Sequence, residues 1–235
     1  MKFAPYLFVA ALGVQCLPAN AGQNLIEYHM HMPPSDSGKR VALTFDACMG
    51  KTDDRILKAL IENSIAATIF VTARWMKYNH AAIATLKAHP DLFEIENHGA
   101  QHLPAVDVPM NLFNLATAGS PEAVKTEVSL GATAVVVIFD HQPKWFRGAG
   151  AEYTKSSIEL IQSMNMRIAG FSFSGDGGAT WTAEHAAKAI TNAKDGDVII
   201  AHINQPTKPA GAGVVEGILK LKAEGFTFVT LNEAF

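Results

Sequence analysis

The stretch Asn97-His98-Gly99-Ala100-Gln101-His102 sets two imidazoles four residues apart behind a short apolar run. On a helical turn that spacing brings both rings to one side, where they can share a metal ion; a structural or chance pair is the alternative. Gly99 stands where a zinc-protease helix carries its glutamate, so a general base must come from elsewhere. One candidate is Asp46, which closes the run Leu43-Thr44-Phe45. Beside a metal and an arginine such a carboxylate suits the activation of water, whereas on its own it would cap a loop. Arg147 lies among apolar and small residues between Trp145 and Tyr153. Burying its charge requires a carboxylate partner, in a reactive site or in a structural ion pair. Asp176 sits in the glycine-rich Gly175-Asp176-Gly177-Gly178, where aspartate also serves as a turn former. His202 ends Val198-Ile199-Ile200-Ala201, as a packed core imidazole or as a proton donor at a site rim.

Two further features invite chemistry. Cys48 follows Asp46 by two residues and is a nucleophile, a soft metal ligand or, as free cysteines most often are, a small buried hydrophobe. His29 and His31 flank Met30, a spacing open to weak copper binding, although a solvated tail accounts for them better.

Elements must deliver these residues to one place. Short runs rich in β-branched and aromatic residues at Val41–Phe45, Ala67–Val71, Phe93–Ile95, Met166–Ala169, Val198–Ala201 and Thr227–Val229 read as buried strands. Helical patterns lie between them, over 53–63, 81–88, 121–134, 154–164, 182–193 and 214–224. Alternation of this kind implies an α/β fold with a parallel sheet and helical crossovers, open or closed into a barrel. In either form ligands meet the carboxyl ends of the strands, where Asp46, His98 and His202 fall. The patternless stretch 103–120 is expected to be a long loop.

Residues 1–21 have the layout of a secretory signal, with Lys2, an apolar run from Tyr6 to Val14, and Ala19-Asn20-Ala21 as the cleavage site. The apolar run is too short to span a bilayer. Gln15 before Cys16 fits lipid-anchor processing poorly. The mature chain is expected to start near Gly22 as an exported protein, periplasmic or secreted, with an N-terminal segment over 22–39 and one catalytic domain over 40–235. Losing the leader takes the net charge from −3 to −4, with 18 basic against 22 acidic residues, a balance that argues against nucleic-acid binding. It also leaves Cys48 as the one cysteine, so no internal disulfide can form. The fold must rest on its core, for which about 214 residues suffice in a single domain.

In this order the five stretches resemble the polysaccharide deacetylases, the NodB-homology group of carbohydrate esterases, over about Arg40 to Phe235. Thr44-Phe45-Asp46 matches the first motif, His98 and His102 the second, and Arg147 with Tyr153 the third. Asp176 and His202 match the fourth and fifth. The resemblance implies a distorted (β/α) barrel that binds a divalent ion, usually zinc, and removes N-acetyl groups from a polysaccharide such as peptidoglycan or a chitin-type oligomer, with O-acetyl groups as a further target. It implies Asp46 as base, His202 as acid to the departing amine, Arg147 orienting Asp46 and Asp176 holding His202 in its useful tautomer. A backbone N–H near Tyr153 would assist the metal in stabilising the oxyanion.

The match departs at one position. The family carries a second, metal-binding aspartate directly after the first, and here that residue is Ala47. With His98 and His102 as two ligands, the third ligand is a carboxylate, from Asp46 itself, Asp53 or Asp176; a divergent branch of the family with Asp-Ala-Cys followed by an aspartate resembles Asp46-Ala47-Cys48 with Asp53. Asp53 equally suits the N-cap of the helix it begins. Ala47 also supports another class of protein, a metal-free, inactive sugar-binding relative of the deacetylases. A cysteine-dependent amidase using Cys48 is a third, recognisable by survival in chelators and loss to thiol reagents.

Overall fold

The computed structural model describes residues 24–34 and 38–235; the expected leader over 1–21 lies outside the described residues. In chain order these form β1 (Ile26–Glu27), β2 (Arg40–Ala47), α1 (Asp54–Glu62), β3 (Ala67–Val71), α2 (Ala73–Met76), α3 (His80–Ala88) and β4 (Phe93–Asn97). Then come β5 (Asn111–Leu112), β6 (Leu115–Ala116), α4 (Pro121–Phe139), β7 (Trp145–Phe146), β8 (Glu152–Tyr153), α5 (Lys155–Ser163), β9 (Arg167–Ile168) and β10 (Phe173–Ser174). The chain closes with α6 (Ala183–Thr191), β11 (Val198–His202), α7 (Ala210–Ala223), β12 (Thr227–Val229) and α8 (Leu231–Ala234).

Eight strands make one parallel sheet in the order β10-β11-β2-β3-β4-β7-β9, with β12 also paired to β2. Ala42 is in register with Val198 on one side and Val229 on the other, so β12 occupies the start of the edge that β3 takes over from Thr44 onward. The sheet curls into a half-barrel within one domain, as the α/β alternation and the family resemblance lead one to expect. Seven of the eight residues of β2 are buried, so this strand is covered on both faces.

Period-two alternation assigns those faces. Val41, Leu43, Phe45 and Ala47 join the large apolar cluster under the helices, with Ile56, Leu60, Val214 and Leu221. Ala42 points the other way, into the concave side, beside Phe70, Trp145 and Val198. Burying side chains of this size stabilises the fold by roughly 1.5–3 kcal/mol each, which is why the strands most saturated with them lie at the centre. Helix starts follow their caps: Asp53, Ser120, Thr154 and Thr182 each accept a backbone N–H of the first turn.

Three expectations change. The N-terminal histidines do not lie in a solvated tail: Met30 and Met32 are buried in the concave cluster, the Met30 N–H donates to Phe171 O at 3.1 Å, and the His31 ring lies 3.3 Å from Asp197. The stretch 103–120 is not wholly irregular, since β5 and β6 form a two-residue-per-strand hairpin within it. Beyond β4 the sheet continues through β7, a two-residue strand that no apolar run announces, to β9, which falls within the run expected as a strand at Met166–Ala169. Among the described residues no helix is long and apolar enough to cross a membrane.

Candidate active site

At the carboxyl end of the sheet β11 runs beside β2 with His202 in register with Asp46. Parallel neighbours in register show their side chains on the same face, so an acid and an imidazole stand side by side. The alternation that sends Ala47 toward the helices sends Asp46 to the concave side, where it is 4% exposed.

Arg147 directly follows β7 and is fully buried. Its Nη1 donates to Asp46 Oδ1 at 3.0 Å, Nη2 to Gly170 O at 2.9 Å and Nε to Ala169 O at 3.4 Å. The guanidinium carbon lies 4.4 Å from the centre of the Phe70 ring. A buried arginine thus finds the carboxylate partner its sequence setting demanded. Tyr153 is buried too, and its hydroxyl accepts the Gly148 N–H at 2.8 Å, holding the backbone just after Arg147.

His98 follows β4, but residues 98–102 do not form a helical turn. Gly99 and His102 have φ of +88° and +67°, and the loop doubles back on itself. The ring centroids of His98 and His102 nevertheless lie 5.0 Å apart, so the pair meets by a route other than i,i+4 helical spacing. Glu127, buried on α4, arranges this: its carboxylate accepts the N–H of Gln101 at 2.9 Å and of Leu103 at 3.1 Å. Asn97 accepts the Gly99 N–H at 2.8 Å and donates to Val128 O at 2.9 Å. A Cβ on Gly99 would strike the Glu127 carboxylate, so glycine is needed there for space as well as for its φ. Nothing in the sequence pattern marks Glu127 off from Glu122, the other acid of α4.

His98 Nδ1 is bonded to Arg147 O at 2.6 Å, which leaves Nε2 facing the cleft, 3.4 Å from Cys48 Sγ and 3.8 Å from Asp46 Oδ2. His202 Nδ1 lies 3.1 and 3.2 Å from the two oxygens of Asp176, and the backbone N–H of His202 donates to Asp176 Oδ2 at 2.7 Å. With Nδ1 turned to the carboxylate, Nε2 is the ring nitrogen left for a substrate. Asp46, Cys48, His102 and His202 line one cleft of about 480 Å³, with Phe113 and Leu115 from the β5–β6 hairpin on its far wall.

These groups charge one another. Burial pushes the Asp46 carboxyl up, but His98, Arg147 and His202 outweigh it and hold the group below its ordinary value. Burial pushes His98 down, but Asp46 and Cys48 carry it up to about 9. His202, depressed by burial, is lifted well above the usual imidazole range by Asp176. Burial raises the Cys48 thiol, but the charge of His98 and hydrogen bonds from His102, His202 and His98 bring it well below the ordinary thiol value. The site favours an ionised Asp46, a thiolate at Cys48 and protonated His98 and His202 rings.

Among the described residues, Cys48, His98 and His102 form a group whose ligand atoms all lie within 4.8 Å of one another. His102 Nδ1 is buried with no hydrogen-bond partner, the condition of a donor atom waiting for an acceptor of its lone pair or proton. Both observations fit a divalent metal. Of the carboxylates weighed as third ligand, Asp46 lies at the edge of this group with one oxygen on Arg147, and Asp176 is turned to His202. Asp53 is the N-cap of α1 and meets Arg55 through both oxygens, at 2.8 and 2.6 Å.

Comparison with known proteins gives this geometry a context. A bifunctional xylanase/deacetylase from Pseudobutyrivibrio xylanivorans is 25% identical over 201 residues, covering 84% of this chain but 30% of that protein, so the chain spans less than a third of its length. A family 4 acetyl xylan esterase from Clostridium thermocellum, solved with a cobalt ion, superposes with a TM-score of 0.65 at 26% identity over 84% of this chain and 90% of the esterase. The peptidoglycan deacetylase PdaC from Bacillus subtilis gives a TM-score of 0.66 at 22% identity, covering 86% and 92% of the two chains. A CE4 family pseudoenzyme from Bacillus anthracis shares the fold at a TM-score of 0.66 and 18% identity, over 85% of this chain and 66% of its own. The family model for polysaccharide deacetylase matches residues 34–169, more than half of the sequence, and the chain belongs to that family.

Proposed function

We propose that this protein is an exported, metal-dependent hydrolase that removes N-acetyl groups from a polysaccharide, with peptidoglycan or a chitin-type oligomer as the substrate class. One observation carries the reading: an acid held by Arg147, a donor cluster around His98 and His102, and an imidazole held by Asp176 meet at the same cleft. His98 and His102 hold a divalent ion, zinc being the expected one, which supplies a Lewis acid for the acetyl carbonyl and for water. Asp46 accepts the proton of the attacking water, and Arg147 keeps its carboxylate ionised and aimed. His202 delivers a proton from Nε2 to the departing amine. Asp176 fixes its tautomer and keeps it charged at neutral pH.

Ala47 favours a second reading, a metal-free relative that binds sugar without cleaving it. Acetate release decides between them. The full protein, assayed on N-acetylglucosamine oligomers and on peptidoglycan fragments, should release acetate, lose that activity to a chelator and regain it with a divalent ion. His98→Ala should lose the ion. Full acetate release by the metal-free protein would refute the metal mechanism, and no release from any acetylated glycan in the metal-loaded state would favour the binding protein.

A further inference from the structure

The position that carries the family's metal-binding aspartate is Ala47, yet three donor atoms still converge in the cleft. The geometry points to the thiolate of Cys48 as the third protein ligand, making a Cys-His-His centre in place of a carboxylate-His-His one. This rests on the metal-dependent reading above and deepens it by naming the ligand and the class of ion it selects.

Three observations lead there. The alternation of β2 directs Ala47 into the cluster with Leu43 and Phe45, so the chain has no donor on that side, and the next residue on the concave face after Asp46 is Cys48. Cys48 Sγ lies 3.4 Å from His98 Nε2. Zinc–sulfur bonds of about 2.3 Å and zinc–nitrogen bonds of about 2.0 Å at the tetrahedral angle set their donors roughly 3.5 Å apart, so this edge already has the span of a coordination shell. His98 cannot turn its other nitrogen inward, because Nδ1 is bonded to Arg147 O at 2.6 Å, and that contact orients an imidazole ligand as outer-shell carbonyls do. His102 Nδ1, buried and unpartnered, adds a further donor in the third member of the group.

Two properties follow. A thiolate with two imidazoles selects zinc, cobalt or cadmium over magnesium or manganese, whose preferred ligands are oxygens. Asp46 stays out of the coordination shell and remains free to accept a proton. On binding, the Cys48 sulfur and His98 Nε2 each give a lone pair to the ion, and any proton those two atoms carry beforehand goes to solvent.

Cobalt(II) substitution of the full chain tests this. The wild-type protein should bind about one cobalt with a near-ultraviolet thiolate-to-cobalt charge-transfer band. Cys48→Ser should lose that band and bind cobalt more weakly by more than the ~10–100-fold typical of losing an outer-shell partner. Cobalt should also protect Cys48, identified by peptide mass spectrometry, from alkylation, a readout on the wild type that needs no variant to fold. A cobalt complex without the band, equal affinity in Cys48→Ser, unprotected Cys48 or no cobalt binding would each overturn the assignment. The band without acetate release would leave the centre intact and refute the deacetylase reading. Acetate release without the band would do the reverse.

Discussion

Replacing Arg147 by methionine keeps most of the side-chain volume and removes one charge from the centre of the molecule. The guanidinium is fully buried and serves Asp46 Oδ1, Gly170 O and Ala169 O at once. Breaking a buried pair by removing one partner costs about 3–5 kcal/mol, because the remaining charge is stranded. Two carbonyls that lose a donor add about 1 kcal/mol each at the low end. With overlap allowed for, Arg147→Met should destabilise the protein by about 5 kcal/mol at neutral pH, a large share of a typical domain's stability. The loss should depend on pH with a definite sign. In the wild type Asp46 is held below its ordinary value of 3.8, so its contribution is present above that value and is lost as pH falls through the lower, folded one. Without the guanidinium the balance moves toward burial, which raises the carboxyl, and protonation then relieves the stranded charge. The stability gap between variant and wild type should therefore narrow as pH drops from 7 toward 4, and Asp46→Asn added to Arg147→Met should recover more than half of the loss. Denaturant unfolding of chelator-treated protein, followed by circular dichroism across that range, measures both effects. A variant within about 1 kcal/mol of wild type, or a gap that does not change with pH, would refute the account of Arg147 as the counter-charge of Asp46.

Two other perturbations probe neighbouring parts of the site. Asp176→Asn keeps the shape but removes the charge that lifts His202 above the usual imidazole range, leaving burial to depress it. The alkaline limb of the acetate-release profile should move to lower pH, with about a tenfold loss at fixed pH for each unit the ring falls below the assay value; an unmoved limb would remove His202 from the role of acid. Ala47→Asp, which restores the family motif, places a carboxylate on the apolar, helix-facing side of β2, next to its register partner Val71, rather than in the cleft. It should cost at least about 3 kcal/mol in denaturant unfolding and bring no gain in metal affinity, whereas tighter metal binding would show that position 47 can reach the ion.

Much of this arrangement was legible in the sequence wherever a run of residues carried a period. The strands over 67–71 and 227–229 match their apolar runs residue for residue, and Asp46 and His202 fall at strand ends as their flanking residues suggested. Two-residue strands such as Trp145–Phe146 carry no period, and they exist because longer neighbours offer them a free edge. The histidine pair was found for an incomplete reason, since its rings meet through a loop tied to Glu127, and an acid on a helix gives no sign that two backbone N–H groups of that loop will fold around it. Asp53 as a helix cap was readable from its position before α1. Cys48 was visible as a candidate, but only the two faces of β2 show why the thiol, and not residue 47, meets the imidazoles.

The partners of β2 bear on how the chain reaches this form. Its first paired neighbours in space are β11 and β12, more than 150 residues later in sequence, and β3 takes only the last half of one edge. An N-terminal portion emerging from the ribosome therefore holds the central strand without the two segments that cover its sides, and closing loops of that length is slow. Synthesis has to run nearly to the last residue before a stable half-barrel can close. Such a delay keeps the polypeptide in a threadable state, an asset for any chain that crosses a membrane before it folds.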